Sequence, residues 1–470
     1  MKLKSKVLLA ALMLWQGLAV AQSPVQKLDL AYKVLTADPQ TKYAVTSLCV
    51  LDANTGQVIF GRNENTGMAT ASTLKTITAA TAFGILGKDF KYQTRLAYSG
   101  SINNGVLKGD LIIIGGGDPT LGSWRYSQSK ENEILSQWVK AIKDAGINKI
   151  EGRVIGDDSA WGTSSMPLGW TWQDMGNYYG AAPSALSWRE NQFDIHLKSG
   201  SGVGQPVTIV KVQPAMPYLQ IVNELTTGQA GTGDNAYAFL PPLSPIAYLR
   251  GTWGLGIQKV GIAAALPDPA YDAAYRLQDT LKRLGIANLK EVSTSRKLSA
   301  EKLPMPAITK ELVSINSPAL SQIIYWFNKK SINLYGENLM RTLAWKAGKP
   351  ATTANGTAIA IDYWKERGID PNALNMADGS GLSPATRVTT YAMAKILYQS
   401  QQEPWFKEFY ESLPEFNGMK IKSGSINDVS AFAGYYTNPA GKKYIVVINV
   451  NNYNGSGINK KIYKALDALK

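Results

Sequence analysis

A serine and a lysine three residues apart, Ser72 and Lys75, are the first candidates for chemistry in this chain. Residues at i and i+3 share one face of a helix, so the Lys75 amine can reach the Ser72 hydroxyl. Hydroxyl nucleophiles need a neighbouring base, and the chain holds a single histidine, His196. Lowering the pKa of a lysine to near 7 costs about 4–5 kcal/mol, which burial and neighbouring cations can supply. The pair therefore predicts a serine nucleophile that is activated by a neutral amine.

The Ser-x-x-Lys spacing alone is weak evidence. Two further pairs have the same spacing, Ser127 with Lys130 and Ser299 with Lys302. Ser-Ile-Asn recurs at 101–103, 314–316, 331–333 and 425–427, and Lys-Ser-Gly recurs at 198–200 and 422–424. Each match taken singly is more typical of a turn or of the surface than of a catalytic site.

Three of these motifs fall on elements that can bring them together. Apolar residues at helical spacing predict a helix over 72–86, with Ser72 at its start. Ser331, Ile332 and Asn333 lie between two predicted helices, at 319–327 and 333–345. Lys422, Ser423 and Gly424 fall on or just after the first of three predicted C-terminal strands, 419–422, 431–436 and 443–450.

Read in chain order, the motifs Ser-x-x-Lys, Ser-x-Asn and Lys-Ser-Gly resemble the signature of the penicillin-recognising serine enzymes. Further strings resemble one branch of them, the low-molecular-mass class C penicillin-binding proteins, which form the D-alanyl-D-alanine carboxypeptidase/endopeptidase family. These strings lie at 115–121, 156–159, 169–172 and 378–383. The long separation of Lys75 from Ser331 matches the large insertion typical of class C.

The resemblance implies a role for each catalytic position. Ser72 would be the acylated nucleophile, and Lys75 would take its proton. Ser331 and Lys422 would pass a proton to the departing D-alanine, and Asn333 would hold the substrate amide.

The resemblance also implies a substrate-binding set. The backbone N–H groups of Ser72 and Ser425 would form an oxyanion hole. Ser423, Gly424 and Ser425 would line the site of the terminal carboxylate, with Lys422 nearby. β-Lactam antibiotics would act as covalent inhibitors, and no metal or cofactor is implied.

The sequence departs from the family pattern at several positions. Ser423 stands where many relatives have threonine, and Ile332 where many have aspartate. Asp157 fits the carboxylate that binds an amine of the substrate side chain. The arginine that often follows the Gly-Leu-Ser string is replaced by Pro384, and Arg387 comes three residues later.

The expected fold class is α/β (α+β), with several domains in about 450 mature residues. A transpeptidase- or β-lactamase-like domain, with an antiparallel sheet flanked by helices, is predicted from 22–92 and 303–470. Two β-rich domains are predicted inside it, the second from 93–190 and 262–302 and the third from 191–261.

The first 21 residues have the pattern of a secretory signal peptide, with three lysines, an apolar run from Val7 to Val20 and an Ala19-Val20-Ala21 site. We therefore expect export to the periplasm, where peptidoglycan stem peptides would be the partner. A net charge of +14 suits anionic surroundings. No nucleic-acid motif is present, and the basic C-terminal helix leaves peripheral membrane association open. The sequence indicates nothing about the oligomeric state.

Two other functions remain open at this stage. A β-lactamase-like hydrolase would share the three motifs and release the acyl group rapidly. A catalytically silent peptidoglycan-binding protein would use the inserted domains as its surface, although the intact set of Ser72, Lys75, Ser331 and Lys422 argues against it.

Overall fold

The computed structural model describes residues 23–286 and 290–470. The predicted signal peptide, residues 1–21, lies outside the described residues. Helices in the described ranges are α1 (Pro24–Thr36), α2 (Leu74–Leu86), α3 (Glu131–Asp144), α4 (Trp172–Met175), α5 (Pro269–Arg283), α6 (Ser295–Ala300), α7 (Leu320–Lys330), α8 (Asn333–Lys346), α9 (Thr353–Lys365), α10 (Thr390–Ser400), α11 (Phe406–Ser412) and α12 (Ile458–Leu466).

The strands carry the sheets that divide the chain into parts. In chain order they are β1 (Val45–Asp52), β2 (Val58–Arg62), β3 (Met68–Ala69), β4 (Gln93–Tyr98), β5 (Ser101–Asn103), β6 (Val106–Lys108), β7 (Leu111–Ile114), β8 (Lys149–Ile150), β9 (Val154–Asp157), β10 (Gln192–Lys198), β11 (Thr208–Gln213), β12 (Gln220–Asn223), β13 (Thr226–Gly228), β14 (Asp234–Phe239), β15 (Ile246–Gly254), β16 (Gly261–Ala265), β17 (Ser293–Thr294), β18 (Lys310–Asn316), β19 (Leu374–Asn375), β20 (Arg387–Val388), β21 (Glu415–Phe416), β22 (Met419–Ile426), β23 (Val429–Thr437) and β24 (Lys443–Asn451).

A six-stranded antiparallel sheet joins the two ends of the chain, in the order β2-β1-β24-β23-β22-β21. Successive side chains of a strand point to opposite faces, and both faces of this sheet are buried. Val446 and Ile448 pack with Leu28 and Ile462 of α1 and α12 on one face. Ile445 and Val447 belong to the core on the other face, which contains α2, α7, α8 and α10. This arrangement confirms the expected antiparallel sheet flanked by helices.

The second part of the chain is a five-stranded sheet, in the order β17-β9-β7-β4-β18, with helices packed on it. The prediction of a β-rich character was incomplete here, because α3 was missed. Its apolar residues Ile134, Trp138 and Ile142 recur at helical spacing and are buried.

Two predicted boundaries fall inside sheets. Strand β18 follows position 303 but pairs with β4 from Lys310↔Tyr98 to Asn316↔Gln93, so it belongs to the five-stranded sheet. Strand β16 begins at Gly261, runs past the predicted boundary to Ala265 and pairs with β10. Both pairings join segments that are distant in the sequence, and no local pattern marks them. The division into three domains itself stays a prediction.

The third part consists of the sheet β11-β10-β16 and the sheet formed by β12, β13, β14 and β15. Their shared core includes Phe193, Leu249 and Trp253. Over the described ranges, the structure shows no helix with the length and apolar character needed to cross a membrane.

Candidate active site

Ser72 and Lys75 lie at the start of the buried helix α2. Ser72 belongs to a short 3-10 turn, Ala71–Thr73, and Lys75 is in the first turn of the helix proper. The first ten residues of α2, Leu74 to Phe83, are all buried, so the amine of Lys75 is inaccessible to bulk water. Its Nζ lies 2.8 Å from the Ser72 Oγ, which is hydrogen-bonding distance.

Two further acceptors hold the Lys75 amine in place. Nζ lies 2.6 Å from Oδ1 of Asn333 and 2.8 Å from the backbone carbonyl oxygen of Ser380. Asn333 is itself fixed, since its Nδ2 donates to the Tyr179 carbonyl at 2.8 Å. The predicted contact between Ser72 and Lys75 is therefore present in the structure, and Asn333 joins it.

Burial lowers the pKa of Lys75 well below its usual value, and the nearby cation of Lys422 lowers it further. The carboxylates of Asp378 and Glu337 pull in the opposite direction. Removal from water disfavours the charged form of an amine. A neutral amine next to a hydroxyl is the arrangement that general-base activation requires.

Lys422 lies on β22, with a side chain that is 1% exposed. Burial lowers its pKa to about 7. Its Nζ donates to the carbonyl of Ser423 at 2.7 Å. Lys422 therefore changes charge near neutral pH, which suits a group that relays a proton.

Gly424 allows β22 to lie directly against the Ser72 turn. A Cβ at this position would come within 2.7 Å of the Thr70 carbonyl oxygen and 2.8 Å of the Ser72 nitrogen. Such distances are closer than atoms can approach, so only glycine fits without a shift of the strand. The close approach explains the glycine of the Lys-Ser-Gly motif.

Ser331 ends α7 in the left-handed conformation, with φ 56°. This reversal separates α7 from α8 and turns the Ser-Ile-Asn segment towards the same cavity as Ser72. The cavity has a volume of about 590 Å³. Its lining includes Ser72, Ser331, Asn333 and Ser425, together with Trp124, Arg125, Thr171, Gln173, Asp174, Tyr178, Tyr179, Glu190, Gln192, Tyr237 and Lys330.

The loop that follows β19 supports Lys75. In the sequence it is marked only by the string at 378–383, which resembles the family. The carboxylate of Asp378 accepts from Trp170 Nε1 at 3.0 Å, Ser383 N at 2.8 Å and Thr386 Oγ1 at 2.7 Å. These bonds shape the loop that presents the Ser380 carbonyl to Lys75.

Glu337 is a second group that sequence reasoning missed. It is fully buried on α8 and accepts the Gly379 N–H at 3.0 Å. Burial, together with the charge of Asp378, raises the pKa of Glu337 to about 8. No sequence motif marked it, because its role depends on the fold that surrounds it.

Neither Asp157 nor Arg387 is among the residues that line the cavity. Asp157 ends β9, and its carboxylate accepts the N–H of Ser159 at 3.0 Å. Arg387 is exposed on β20, which pairs with β3. The structure thus does not bring either side chain to the cavity wall described above, and their substrate roles stay predictions.

The described residues contain no cluster of three or more His, Cys, Asp or Glu side chains that could hold a metal ion. Cys49 is buried in β1, and burial raises the pKa of its thiol to about 12. His196 lies on β10 in the third part of the chain.

A serine with a buried amine base, on a helix against a six-stranded antiparallel sheet, defines a serine peptidase of the penicillin-recognising type. The chain belongs to the D-Ala-D-Ala carboxypeptidase 3 (S13) family, which it matches over residues 28–415. The resemblance drawn from the three motifs and the expected enzyme class are thereby confirmed.

Two characterised relatives are similar over most of their length. The D-alanyl-D-alanine carboxypeptidase DacB of Haemophilus influenzae is 27% identical over 438 residues, which cover 88% of this chain and 86% of the relative. A D-alanyl-D-alanine carboxypeptidase of an Actinomadura species is 25% identical over 447 residues, which cover 89% and 80%.

The fold also matches a solved structure, that of penicillin binding protein 4 from Haemophilus influenzae. The TM-score is 0.79 at 24% sequence identity, with 93% of this chain and 98% of the other covered. The same protein in complex with a β-lactam gives a TM-score of 0.73 at 22% identity, with 94% and 98% covered. The expected fold class is confirmed by this likeness.

Proposed function

We propose that this chain is a serine DD-peptidase that cleaves the D-Ala-D-Ala end, or a D-Ala-linked cross-bridge, of peptidoglycan stem peptides. The observation that carries the proposal is the 2.8 Å contact between the Lys75 amine and the Ser72 hydroxyl in a buried site. Membership of a family of D-Ala-D-Ala carboxypeptidases supports the substrate class.

In the acylation step, the Ser72 oxygen attacks the carbonyl carbon of the penultimate D-alanine. The hydroxyl proton moves to the neutral amine of Lys75, which becomes an ammonium group. The negative charge that develops on the carbonyl oxygen is stabilised by the backbone N–H groups of Ser72 and Ser425. Each well-placed donor of this kind stabilises such a transition state by about 3 kcal/mol.

The C–N bond then breaks, and the leaving amine needs a proton. The proton that Lys75 took from Ser72 passes through Ser331 and Lys422 to this amine, so Lys75 is neutral again; the pKa of Lys422 near 7 allows it to give and regain a proton at neutral pH. In the second step water attacks the acyl-enzyme while Lys75 accepts a proton from the water, and Lys75 returns that proton to the Ser72 oxygen as the acyl bond breaks. The acid is released, and the Ser72 hydroxyl is restored.

The remaining substrate contacts are proposed from the family resemblance. Asn333 holds the substrate amide while it keeps Lys75 in place. Ser423, Gly424 and Ser425 receive the terminal carboxylate. Asp157 and Arg387, which are not among the lining residues, are proposed to contact the side chain of the third stem residue.

β-Lactams are proposed to acylate Ser72, because their strained amide carbonyl takes the place of the scissile one. The β-lactam complex of the Haemophilus influenzae protein supports this proposal. Slow release of the penicilloyl group is expected here, whereas rapid release would favour a β-lactamase-like hydrolase.

We further propose export to the periplasm, since residues 1–21 have the composition of a signal peptide. N-terminal sequencing of the protein from a periplasmic extract should begin at Gln22. A product that retains Met1 and stays in the cytoplasm would contradict it.

The catalytic proposal is tested by the Ser72→Ala substitution, with D-alanine release from a D-Ala-D-Ala peptide as the readout. Release should fall to background. Ser127→Ala is the matched control, because Ser127 has the same spacing to a lysine and does not line the cavity. Unchanged release in Ser72→Ala would reject the assignment.

A further inference from the structure

Two buried carboxyl groups, those of Asp378 and Glu337, meet at the loop that holds Lys75. Gly379 donates its N–H to both oxygens of Glu337, at 3.0 Å and 3.2 Å. The next residue, Ser380, presents the carbonyl that accepts from the Lys75 amine at 2.8 Å. Glu337 is therefore separated by a single peptide unit from a group that holds the proposed base.

The peptide at Gly379 is fixed from both sides. Glu337 on α8 accepts its N–H, and its carbonyl accepts from the Thr78 hydroxyl on α2 at 2.6 Å. The loop lies directly against α8, since a Cβ on Gly379 would come within 2.4 Å of the Gly336 carbonyl oxygen. With so little free space around this peptide, a change in its hydrogen bond to Glu337 moves the adjoining carbonyl of Ser380.

Helix α8 therefore contacts Lys75 by two routes. Asn333 and Glu337 are four residues apart, so they share one face of the helix. Asn333 accepts from the Lys75 amine directly, at 2.6 Å. Glu337 acts on the same amine through the loop.

The two carboxyl groups differ in the hydrogen bonds that they receive. Within the described residues, the carboxylate of Asp378 accepts from five donors: Trp170 Nε1, Ser380 Oγ, Gly381 N, Ser383 N and Thr386 Oγ1. Hydrogen bonds of this kind stabilise a negative charge in a buried place. Glu337 is equally buried and has the Gly379 N–H as its backbone donor.

The cationic side chains that interact electrostatically with Glu337 direct their donors elsewhere. Lys75 donates to the three acceptors described above. Arg341, one turn further along α8, donates to the backbone carbonyls of Ser164 and Ala351. A carboxyl group that is out of water and has few donors is favoured in its neutral form.

The Ser380 hydroxyl is consistent with a neutral Glu337. It donates to Asp378 at 3.3 Å and is also a hydrogen-bond partner of Glu337. A hydroxyl group has one hydrogen, so while that hydrogen is given to Asp378, the bond with Glu337 needs a hydrogen on Glu337. Burial and the charge of Asp378 raise the pKa of Glu337 to about 8, in the same direction.

The neutral form also matters for the base. A negative charge on Glu337 would raise the pKa of Lys75 and favour its ammonium form, which cannot take the Ser72 proton. The charge of Lys422 acts in the opposite direction. A neutral Glu337 holds the loop without adding a charge that would protonate the amine.

We propose that Glu337 is a positioning residue for the pair of Ser72 and Lys75. As a neutral carboxylic acid, it fixes the peptide between residues 379 and 380, so that the Ser380 carbonyl holds the Lys75 amine against the Ser72 hydroxyl. This inference rests on the proposed roles of Ser72 and Lys75. It adds to them a group that touches neither the substrate nor the reacting atoms.

The test measures the rate of acylation by benzylpenicillin from pH 6 to pH 9 in the unmodified protein and in Glu337→Gln. Glutamine is neutral at every pH and keeps an acceptor for the Gly379 N–H, so at pH 6 the two rates should agree within about two-fold. At pH 9 about one-tenth of Glu337 keeps its proton, so Glu337→Gln should be about ten-fold faster than the unmodified protein. Lys422 titrates in both proteins, and its effect cancels in the ratio of the rates.

Two further variants complete this experiment. Glu337→Leu removes the acceptor and should be at least about ten-fold slower than Glu337→Gln at every pH, because a misplaced base costs up to about 10² in rate. Glu366→Gln is the control, since Glu366 is exposed just after α9 and should leave the rate unchanged at every pH. A ratio of Glu337→Gln to unmodified protein that is the same at pH 6 and pH 9 would overturn the proposal, as would equal rates in Glu337→Gln and a folded Glu337→Leu.

Calorimetric unfolding tests the neutral acid without using catalysis. Between the ordinary value of 4.5 and about 8, the folded protein holds a proton that the unfolded chain has lost, so stability from Glu337 falls as pH rises. Glu337→Gln lacks this loss, and its Tm relative to the unmodified protein should rise from pH 5 to pH 8 and then stay level. A Tm difference that is constant with pH contradicts the proposal.

Failure of the proposed function looks different from failure of this inference. Penicillin would then acylate neither protein at Ser72 at any pH, whereas the Tm comparison would be unaffected. In that case the Tm difference decides whether Glu337 holds the loop as a neutral acid. A difference that widens from pH 5 to pH 8 supports this, and a constant one rejects it.

Discussion

At the scale of single residues, the site depends on amines that are kept out of water. Lys75 is fully buried and makes three hydrogen bonds. Lys422 is also buried, and its charge lowers the pKa of Lys75. Each burial costs stability, and the protein gains from it an amine that is neutral near physiological pH.

The first prediction concerns the base. Lys75→Gln should slow acylation by penicillin at least 100-fold, because general-base help to a hydroxyl is typically worth about 10²–10⁴ in rate. The rate is measured by the appearance of the penicilloyl mass. Lys130→Gln is the control, since Lys130 has the same spacing to Ser127 but lies on the surface. Equal acylation rates in the two variants would contradict the role of Lys75.

The second prediction concerns pH and stability. Lys422 has a pKa of about 7 in the folded protein and an ordinary pKa near 10.4 when unfolded. Between these values the unfolded chain binds the extra proton, so stability from this group rises with pH across that window and is lowest below pH 7. Lys422→Met should therefore raise Tm by several degrees at pH 6, with a smaller gain at pH 9.

The measurement is calorimetric unfolding of both proteins across pH 6–10. A Tm difference that is constant with pH would mean that Lys422 is not titrating as described. The same variant should lose peptidase activity. The buried Lys422 would then lower stability while it is needed for activity.

At the scale of elements, the site is an intersection of α2, the α7–α8 connection and β22. None of these elements is special alone. Their contact points are the Ser72 turn, the left-handed Ser331 and the glycine at 424. The position of β22 relative to α2 then sets the distance between Ser72, the proposed nucleophile, and the backbone N–H of Ser425, a proposed oxyanion donor.

The third prediction is that Gly424→Ala slows acylation about 10- to 100-fold. The added Cβ must push β22 away from the Ser72 turn, and misplacement of reacting groups by about 1 Å costs up to 10² in rate. Gly162→Ala is the control, because a Cβ there meets nothing within 4 Å. Both variants are assayed for penicillin acylation and for Tm. An unchanged acylation rate in Gly424→Ala would show that β22 accommodates a Cβ at this position without displacement from the Ser72 turn.

At the scale of the whole molecule, separate cores support the parts of the chain. The core that contains α2 and that of the third part share no residue. Ser72, Ser331 and Asn333 meet on the first part, whereas Tyr237 and Ala263 reach the cavity from the third.

The fourth prediction follows from that separation. Trp253→Ala removes a buried ring from the third core and should cost about 3–5 kcal/mol locally. It should add an early unfolding transition by calorimetry, above which penicillin still acylates the protein. Trp364→Ala, in the core beside α2, should instead lower the temperature at which acylation capacity is lost. A single shared transition in both variants would contradict independent cores.

Much of this architecture could be predicted from the sequence. The hairpin of β1 and β2, helix α2 and the three C-terminal strands follow from local periodicity and turn residues. The three motifs could be ordered into one site because their elements were already known from the pattern.

The remainder depends on contacts that no local pattern contains. Strand β18 joins β4 across more than two hundred residues, and the role of Glu337 exists only once the loop at Asp378 packs on it. Likewise, no local pattern shows that Asp157, at the end of β9, is not among the cavity-lining residues. Helix α3 is a different case, since the helical spacing of Ile134, Trp138 and Ile142 could have predicted it from the sequence.

The most direct test of the account is mass spectrometry of the intact protein after incubation with benzylpenicillin, followed by peptide mapping. The account predicts one long-lived penicilloyl adduct, located on Ser72 and absent from Ser72→Ala. An adduct on any other residue, or none at all on a folded protein, would contradict it.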